Sequence, residues 1–342
     1  MQNTNLPPAN IDVSVLMLFF NRPETFEKVF DAVRQARPSR LFLFQDGPRN
    51  EKDVPRMEQC RKIAENIDWQ CEVYRNYQEK NLGCMTAGFT SHRWAFSNTD
   101  KCIVIEDDVL PDQSFFKFCK EMLDRYENDT RITMVAGFNV DEETPYMPYS
   151  YFFTSAFSIW GWASWSRVVS QWDGEYTFLN DDFAVKQLTN LIKQRGYRKD
   201  FIKMCQDHRD SGKPQFESVF WACMLFNSGM AVMPKKNLIK NIGASDDSTH
   251  FSSLKTMPRR MRRIMTMPVH QLEFPLVHPH YVIEEVGYWK RKYKANAWDS
   301  PLIKIGQSFE ALFLNLRYGN FKFIWKSFKR RIRIWLGKEK FS

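Results

Sequence analysis

The sequence predicts an α/β chain: a mostly parallel, twisted sheet with helices on both faces, followed by a basic amphipathic helical C-terminal tail. Three observations predict it. Apolar, β-rich runs alternate with helix-period segments through the first 140 residues, several of those runs end in a carboxylate, and the cations concentrate beyond residue 286. Strand–helix alternation at this spacing is the pattern of a parallel sheet covered on both sides. Ligands of such sheets gather beyond the carboxyl ends of the strands, where the strand order reverses.

Residues 13–21 are nearly continuous in apolar side chains, as a strand buried on both faces requires. Pro23 opens a helix at its first turn, with Phe26, Val29, Phe30 and Val33 on one face. A second strand over 40–47 ends in Asp46 and Gly47; a charged helix over about 50–66 and a third strand over 71–75 follow. Asn81-Leu82-Gly83 leads into a helix carrying His92, Arg93, Trp94 and Phe96. The fourth strand, 101–108, again ends in acid, and Asp112 caps a helix with Phe115, Phe116, Phe118, Cys119 and Met122 inside it. Residues 132–139 are a fifth strand. Beyond about residue 150 the pattern turns aromatic and irregular, then helical over roughly 180–209 and 216–228. Asn21, Asp46 and Glu106–Asp108 fall at strand ends, so they are expected to converge on one crevice.

With 342 residues, 43% of them hydrophobic and 26% charged, the chain is long enough for one large α/β domain with an appendage, or for two domains. Its 14 glycines and 16 prolines exclude a collagen-like or low-complexity chain. No apolar run approaches the ~18–20 residues of a membrane-spanning helix, and the first eight residues lack the features of a signal peptide. Seven cysteines without a CxxC pair read as reduced, mostly buried thiols of a cytosolic protein. Residues 287–342 hold 14 Lys and Arg against Asp299, Glu310 and Glu339, so the net charge of +9 comes from the tail and the remainder stands at −2.

Four groups of residues could do chemistry. Glu106, Asp107 and Asp108 directly follow a buried strand and repel one another; a hard divalent cation, Mn²⁺ or Mg²⁺, would offset them, and a solvated turn capping the next helix is the alternative. His250 follows a polar, glycine-containing loop and could ligate the same ion. Glu217, at the start of an apolar helix beside Phe216 and near Trp221, could act as a general base, although an acid in a first helical turn is favoured by the helix dipole alone. Trp160, Trp162 and Trp165 read equally as a wall for a sugar ring and as core.

Taken in order, Phe20-Asn21-Arg22-Pro23, Gln45-Asp46-Gly47, His92-Arg93-Trp94-Ala95, Ile105-Glu106-Asp107-Asp108, Trp160-Gly161-Trp162 and Asn241-Ile242-Gly243 with Thr249-His250 resemble the GT-A (Rossmann-like) nucleotide-sugar glycosyltransferases. The likeness is greatest to bacterial sugar transferases related to the N-acetylglucosaminyltransferase I group, over roughly residues 12–251. It implies a domain over 1–286, with a nucleotide-binding half at about 12–140 and an acceptor half at about 141–286. It further implies that Asp108 binds Mn²⁺ (or Mg²⁺), that Glu106 and Asp107 contact ribose or donor sugar, and that Phe20, Asn21, Arg22 and Asp46 hold uridine. Arg93 would approach the donor and His250 the metal or diphosphate. Glu217 stands where related sequences place an acid after Trp, so Phe216-Glu217 departs from that pattern, with Asp207 and Asp210 as fallback bases. The implied reaction transfers a sugar, with inversion, from a UDP-linked donor to a glycan or lipid-linked acceptor in surface-polysaccharide assembly.

The tail, 287–342, interleaves cations with large apolar groups. Phe321, Ile324, Trp325, Phe328, Ile332, Trp335 and Leu336 fall on one helical face, the pattern of a helix lying in an anionic membrane surface on the cytoplasmic side; docking on the protein is the alternative. No motif for nucleic acid accompanies the charge. Two rival functions share these features: a metal-dependent nucleotidyl transferase or phosphoesterase, and a catalytically inactive nucleotide-binding adaptor at the membrane.

Overall fold

The computed structural model describes residues 6–156, 158–244, 254–296, 300–321, 323–325 and 327–329. His250 lies outside the described residues, as do Ile332, Trp335 and Leu336 of the tail face; of its other members Phe321, Trp325 and Phe328 are exposed.

The chain enters the sheet through β1 (Ile11–Phe19), α1 (Pro23–Ala36), β2 (Pro38–Gln45), α2 (Val54–Ala64), β3 (Glu72–Tyr77), α3 (Cys84–Phe96) and β4 (Lys101–Glu106). A short strand, β5 (Val109–Pro111), precedes α4 (Gln113–Arg125), whose first turn is capped by Asp112 accepting from the Ser114 amide at 2.8 Å. Then come β6 (Ile132–Ala136), β7 (Tyr151–Thr154), β8 (Trp162–Trp165) and the single turn α5 (Ser166–Val169). Three helices follow, α6 (Asp182–Leu191), α7 (Arg198–Ser211) and α8 (Phe216–Phe226), then β9 (Met230–Pro234), β10 (Ile239–Asn241), α9 (Arg259–Met265), α10 (Tyr288–Ala295) and α11 (Pro301–Arg317).

Eight strands form one sheet in the order β3-β2-β1-β4-β8-β6-β9-β7, and β5 pairs with β10 in a small antiparallel ribbon. β1, β2, β3 and β4 are mutually parallel, β8 runs against both β4 and β6, and β7 runs against β9. Six of the eight strands thus share one direction, the expected mostly parallel α/β class. From β1 the chain steps outward through β2 to β3, and α3 then carries it back across to β4. Because such crossovers are right-handed, this reversal puts α3 on the opposite face from α1 and α2, and it creates a switch point at the carboxyl ends of β1 and β4.

The first half matches its sequence expectations to within a few residues at each boundary. The second half differs. Two strands, β7 and β8, lie in the region that reads as aromatic and irregular, and two more, β9 and β10, follow the helical stretch with no strand expected there. β7 and β8 are buried at every position, so neither shows the alternation that marks a half-buried strand. The long helical stretch expected over 180–209 is two helices broken between Ile192 and Tyr197. Tyr288 is fully buried and its hydroxyl accepts from the Val140 amide at 3.0 Å, so α10, the first part of the expected tail, is built into the body. All seven cysteines are free thiols, five of them buried.

Candidate active site

The switch point gathers two loops. After β1, the Phe20 amide donates to Asp107 Oδ2 at 3.1 Å, and Arg22 reaches across to pair with Asp107 at 3.1 Å and Asp108 at 2.8 Å. After β4, Glu106, Asp107 and Asp108 turn into β5, whose pairing with β10 brings the Ile242 amide to the Asp108 carbonyl at 2.8 Å. Gly243 then lies so close that a Cβ there would stand 2.1 Å from Asp108 Oδ2. The described start of the glycine-containing loop that leads to His250 is therefore brought against Asp108.

One guanidinium pairs with two of the three carboxylates, and its charge is felt at the third, Glu106. Asp107, 3% exposed, is raised from its usual range by burial in spite of Arg22. Glu106 is raised by burial and further by the charges of Asp108, Glu217 and Asp107, with Arg22 acting the other way. Arg22 is thus the internal counter-ion that the sequence reading assigned to a metal alone. Among the described residues no group of three or more His, Cys, Asp or Glu converges as a metal site. The donor chemistry nonetheless suits a hard cation, which commonly rests on one or two carboxylates and takes its other oxygens from substrate phosphates and water.

Glu217 sits in the first turn of α8, seated by the packing of Phe216 on Gly88 of α3, where a Cβ would come within 2.7 Å of the ring. Burial raises its carboxyl above the usual range. Its charge is felt at Glu106 and at Cys84, the first residue of α3. Glu106 and Glu217 make no hydrogen bond or ion pair among the described residues, and they are the two partnerless carboxylates of this crevice. Asp207 pairs with Lys203 at 3.3 Å, Asp210 lies by Arg209 at 3.9 Å, and neither lines the cavity described next.

Beside Glu217 a cavity of about 290 Å³ opens between α8, α7, α10 and the loop before β8, lined by Trp160, Tyr197, Trp221, Trp289 and Tyr293 among others. Of the expected three-indole wall only Trp160 borders it. Trp162 and Trp165, 1% and 2% exposed, are core: Trp162 packs on His92, Phe96 and Phe220, and the Trp165 indole donates to the Leu123 carbonyl at 3.0 Å.

Two further expectations are corrected. Asp46 is not open to a nucleoside: its oxygens accept from the amides of Gly47, Leu82 and Gly83 at 2.8, 2.8 and 3.1 Å and from the Asn81 side chain at 3.0 Å, pinning the loop that enters α3. The pinned loop runs so tightly that a Cβ on Gly47 would stand 2.3 Å from the Lys80 carbonyl carbon. Arg93 lies in the last turn of α3, at the end remote from the crevice, donating to the Val169 carbonyl at 3.3 Å. Its neighbour His92 is enclosed by Trp162, Trp172 and Phe216, and burial pushes its imidazole down to about 3, a neutral core histidine. Asn21 stays at the site but donates to Asp53 at 2.7 Å, and Phe20 lies under the Arg49 guanidinium at 5.0 Å. Sequence reasoning missed Cys84, Tyr197 and the α10 face of the cavity; the spacing of Trp289, Lys292, Tyr293 and Asn296 at i, i+3, i+4 and i+7 is the signal that could have found the last.

No protein-family model matches this chain, and no curated protein does. Among solved structures it is similar to the inositol-1-phosphate CTP transferase from T. maritima, at 11% identity and a TM-score of 0.38, over 77% of this chain and 97% of that one. It is also similar to the glycosyltransferase GlyE in Streptococcus pneumoniae TIGR4, at 10% identity and a TM-score of 0.29, over 84% of this chain and 63% of that one.

Proposed function

We propose that this chain is an inverting glycosyltransferase that moves a sugar from a nucleotide diphosphate, UDP-linked by preference, to a hydroxyl of a glycan or lipid-linked acceptor in surface-polysaccharide assembly. The observation that carries the reading is the pair of carboxylates with no hydrogen bond or ion pair among the described residues, Glu106 at the carboxyl end of β4 and Glu217 in the lining of the aromatic cavity, near enough for the charge of one to act on the other.

In this reading the acceptor lies in the cavity and the donor over the strand ends. The Glu217 carboxylate, made more basic by burial, accepts the proton of the acceptor hydroxyl as its oxygen bonds to the anomeric carbon. The bond from that carbon to the diphosphate oxygen breaks on the opposite face, its electron pair leaves with the nucleoside diphosphate, and the configuration inverts through an oxocarbenium-like state. Glu106 accepts hydrogen bonds from ribose or donor-sugar hydroxyls, and the Phe20–Arg22 loop flanks the base. Asp108, with His250 beyond the described residues, would hold Mn²⁺ or Mg²⁺, which supplies charge stabilisation to the departing diphosphate.

α11 supports attachment to a membrane surface. Leu302, Ile305, Phe309, Leu312, Phe313 and Leu316 share one helical face and stay exposed, from 43% for Leu312 to 78% for Leu302. Its other side docks on the turn at Leu254–Thr256, so the apolar face of this helix is not spent on the body. No described helix is long and apolar enough to cross a membrane.

The test is a panel of nucleotide sugars with Mn²⁺, read by release of nucleoside diphosphate and by thermal stabilisation. One donor is expected to stabilise by about 2.7 kcal/mol at a hundred times its dissociation constant. Glu217→Gln should keep that stabilisation and lose turnover about 10²–10⁴-fold. Stabilisation by no donor, or consumption of nucleoside triphosphates instead, overturns the proposal.

A further inference from the structure

Lys292 has no role in the chemistry above, yet it is the side chain the fold treats most oddly. It lies on the inward face of α10 with Trp289, Tyr293 and Asn296, and all four line the aromatic cavity. Its ammonium makes no hydrogen bond and no ion pair among the described residues. The other cavity lysine, Lys193, is already committed, pairing with Glu284 at 2.5 Å and donating to Ser155 at 2.9 Å. Lys292 is half-buried by accessible surface because it borders the cavity, but protein surrounds it, and burial without a counter-ion pushes the amine down to about 7. Glu217, the one carboxylate lining the cavity, contributes nothing to holding it charged.

An unpaired amine is costly in such a place, and an apolar residue would fill the wall at less expense. The position makes sense when an anion arrives with the ligand. The rest of the wall specifies the ligand's body: indole and phenol faces suit the apolar faces of a sugar ring, and about 290 Å³ is the small end of ligand pockets. Lysine is a compact point charge that takes carboxylate and phosphate alike.

We propose that the cavity recognises an acidic sugar unit, its ring packed on Trp160, Trp221 and Trp289 and its carboxylate or phosphate paired with Lys292. This rests on the reading of the cavity as the acceptor side and deepens it: the acceptor glycan carries a negative charge on the residue that enters, or next to it.

The experiment measures binding to the full chain at pH 7 without nucleotide, using methyl β-glucoside, methyl β-glucuronide and methyl β-glucoside 6-phosphate. At least one acidic probe is expected to bind tenfold or more tightly than the neutral one, and which of them does so distinguishes carboxylate from phosphate. Lys292→Met should bring the acidic probe to the level of the neutral probe and leave the neutral one unchanged, while Lys292→Arg keeps part of the preference. The Lys292→Met protein should melt no lower than the parent, which separates loss of recognition from loss of fold. Equal affinities, no binding by any of the three probes, or a preference that survives Lys292→Met overturns the inference. Because no donor is present, that outcome is distinguishable from failure of the transferase reading, which the nucleotide-sugar panel decides.

Discussion

Replacing Arg22 by Gln tests whether the strand-end acids are held in place by charge. Arg22 spans Asp107 and Asp108 at 3.1 and 2.8 Å, and its side chain is 25% exposed against 4% for that of Asp107. Removing one partner of a buried pair costs about 3–5 kcal/mol, because the other charge is left uncompensated. In a chain of this size that corresponds to a melting point lower by roughly 2 °C for each kcal/mol. The cost depends on pH with a definite sign. Glu106 and Asp107 bind protons more tightly folded than unfolded, so stability falls as pH rises from the ordinary carboxylate range to their raised values. Without Arg22 those values rise further, and the fall becomes steeper and extends to higher pH. Melting curves of parent and Arg22→Gln from pH 5 to 9 are the assay: the deficit should be largest at pH 8–9 and shrink toward pH 5. A deficit under about 0.5 kcal/mol at pH 8, or one independent of pH, would refute the electrostatic account.

Gly243→Ala places a methyl group 2.1 Å from Asp108 Oδ2 and must displace that carboxylate; the Mn²⁺ concentration for half-maximal turnover should rise about tenfold, the equivalent of ~1.4 kcal/mol, measured by metal titration at saturating donor. Asp46→Ala strands three amides and the Asn81 amide group, and chemical denaturation should register a loss of about 3 kcal/mol. Phe309→Glu with Phe313→Glu, at positions 68% and 60% exposed, should abolish sedimentation with anionic vesicles while leaving the melting point unchanged. Chelation by EDTA should remove nucleotide-induced stabilisation, and restoring Mn²⁺ or Mg²⁺ should return it, read by thermal shift.

The parallel half of the sheet is legible because β1, β2 and β4 carry unbroken apolar runs of four or more residues and several helices bring their own start signal, such as Pro23 or Asp112. Glu106–Asp108 draw attention for a related reason, charge placed directly against an apolar run; Glu217 does not, since an acid in a first helical turn is favoured by the helix dipole alone, and only the resemblance singles it out as a base. Asp46 is not distinguishable from them by sequence, since what occupies it is the backbone of Leu82 and Gly83, some 36 residues away and without side-chain signal. Arg93 is misplaced by motif because a helix advances about 1.5 Å per residue, and nine residues from Cys84 carry it to the far end of the sheet. Trp162 and Trp165 could not be told from Trp160 because the loop-to-strand boundary between them falls inside a run where every residue is apolar or small. Lys292 is hidden for the opposite reason: in a segment dense with Lys and Arg, one cation turned inward looks like the rest until the helix phase is read against Trp289 and Tyr293.

The distribution of charge around Glu217 ties these elements together. On the strand-end side stand three carboxylates and one guanidinium, a surplus of negative charge where the proposed ligand would bring a diphosphate. At a separation of 4 Å, two like charges near a protein surface repel by about 4 kcal/mol, so a diphosphate seated there requires positive charge from outside the chain's described residues. On the cavity side the balance is reversed: Lys193 is paired with Glu284, Lys292 has no ion pair among the described residues, and the walls are otherwise largely aromatic and aliphatic. A ligand entering there brings negative charge to an amine that lacks it. Glu217 lies between the two and stays partnerless, raised by burial rather than held by either side. A carboxylate needed only to cap α8 would gain from being paired, and this one makes no hydrogen bond or ion pair among the described residues. That arrangement is what a base requires when it takes a proton from one ligand as a bond breaks in the other.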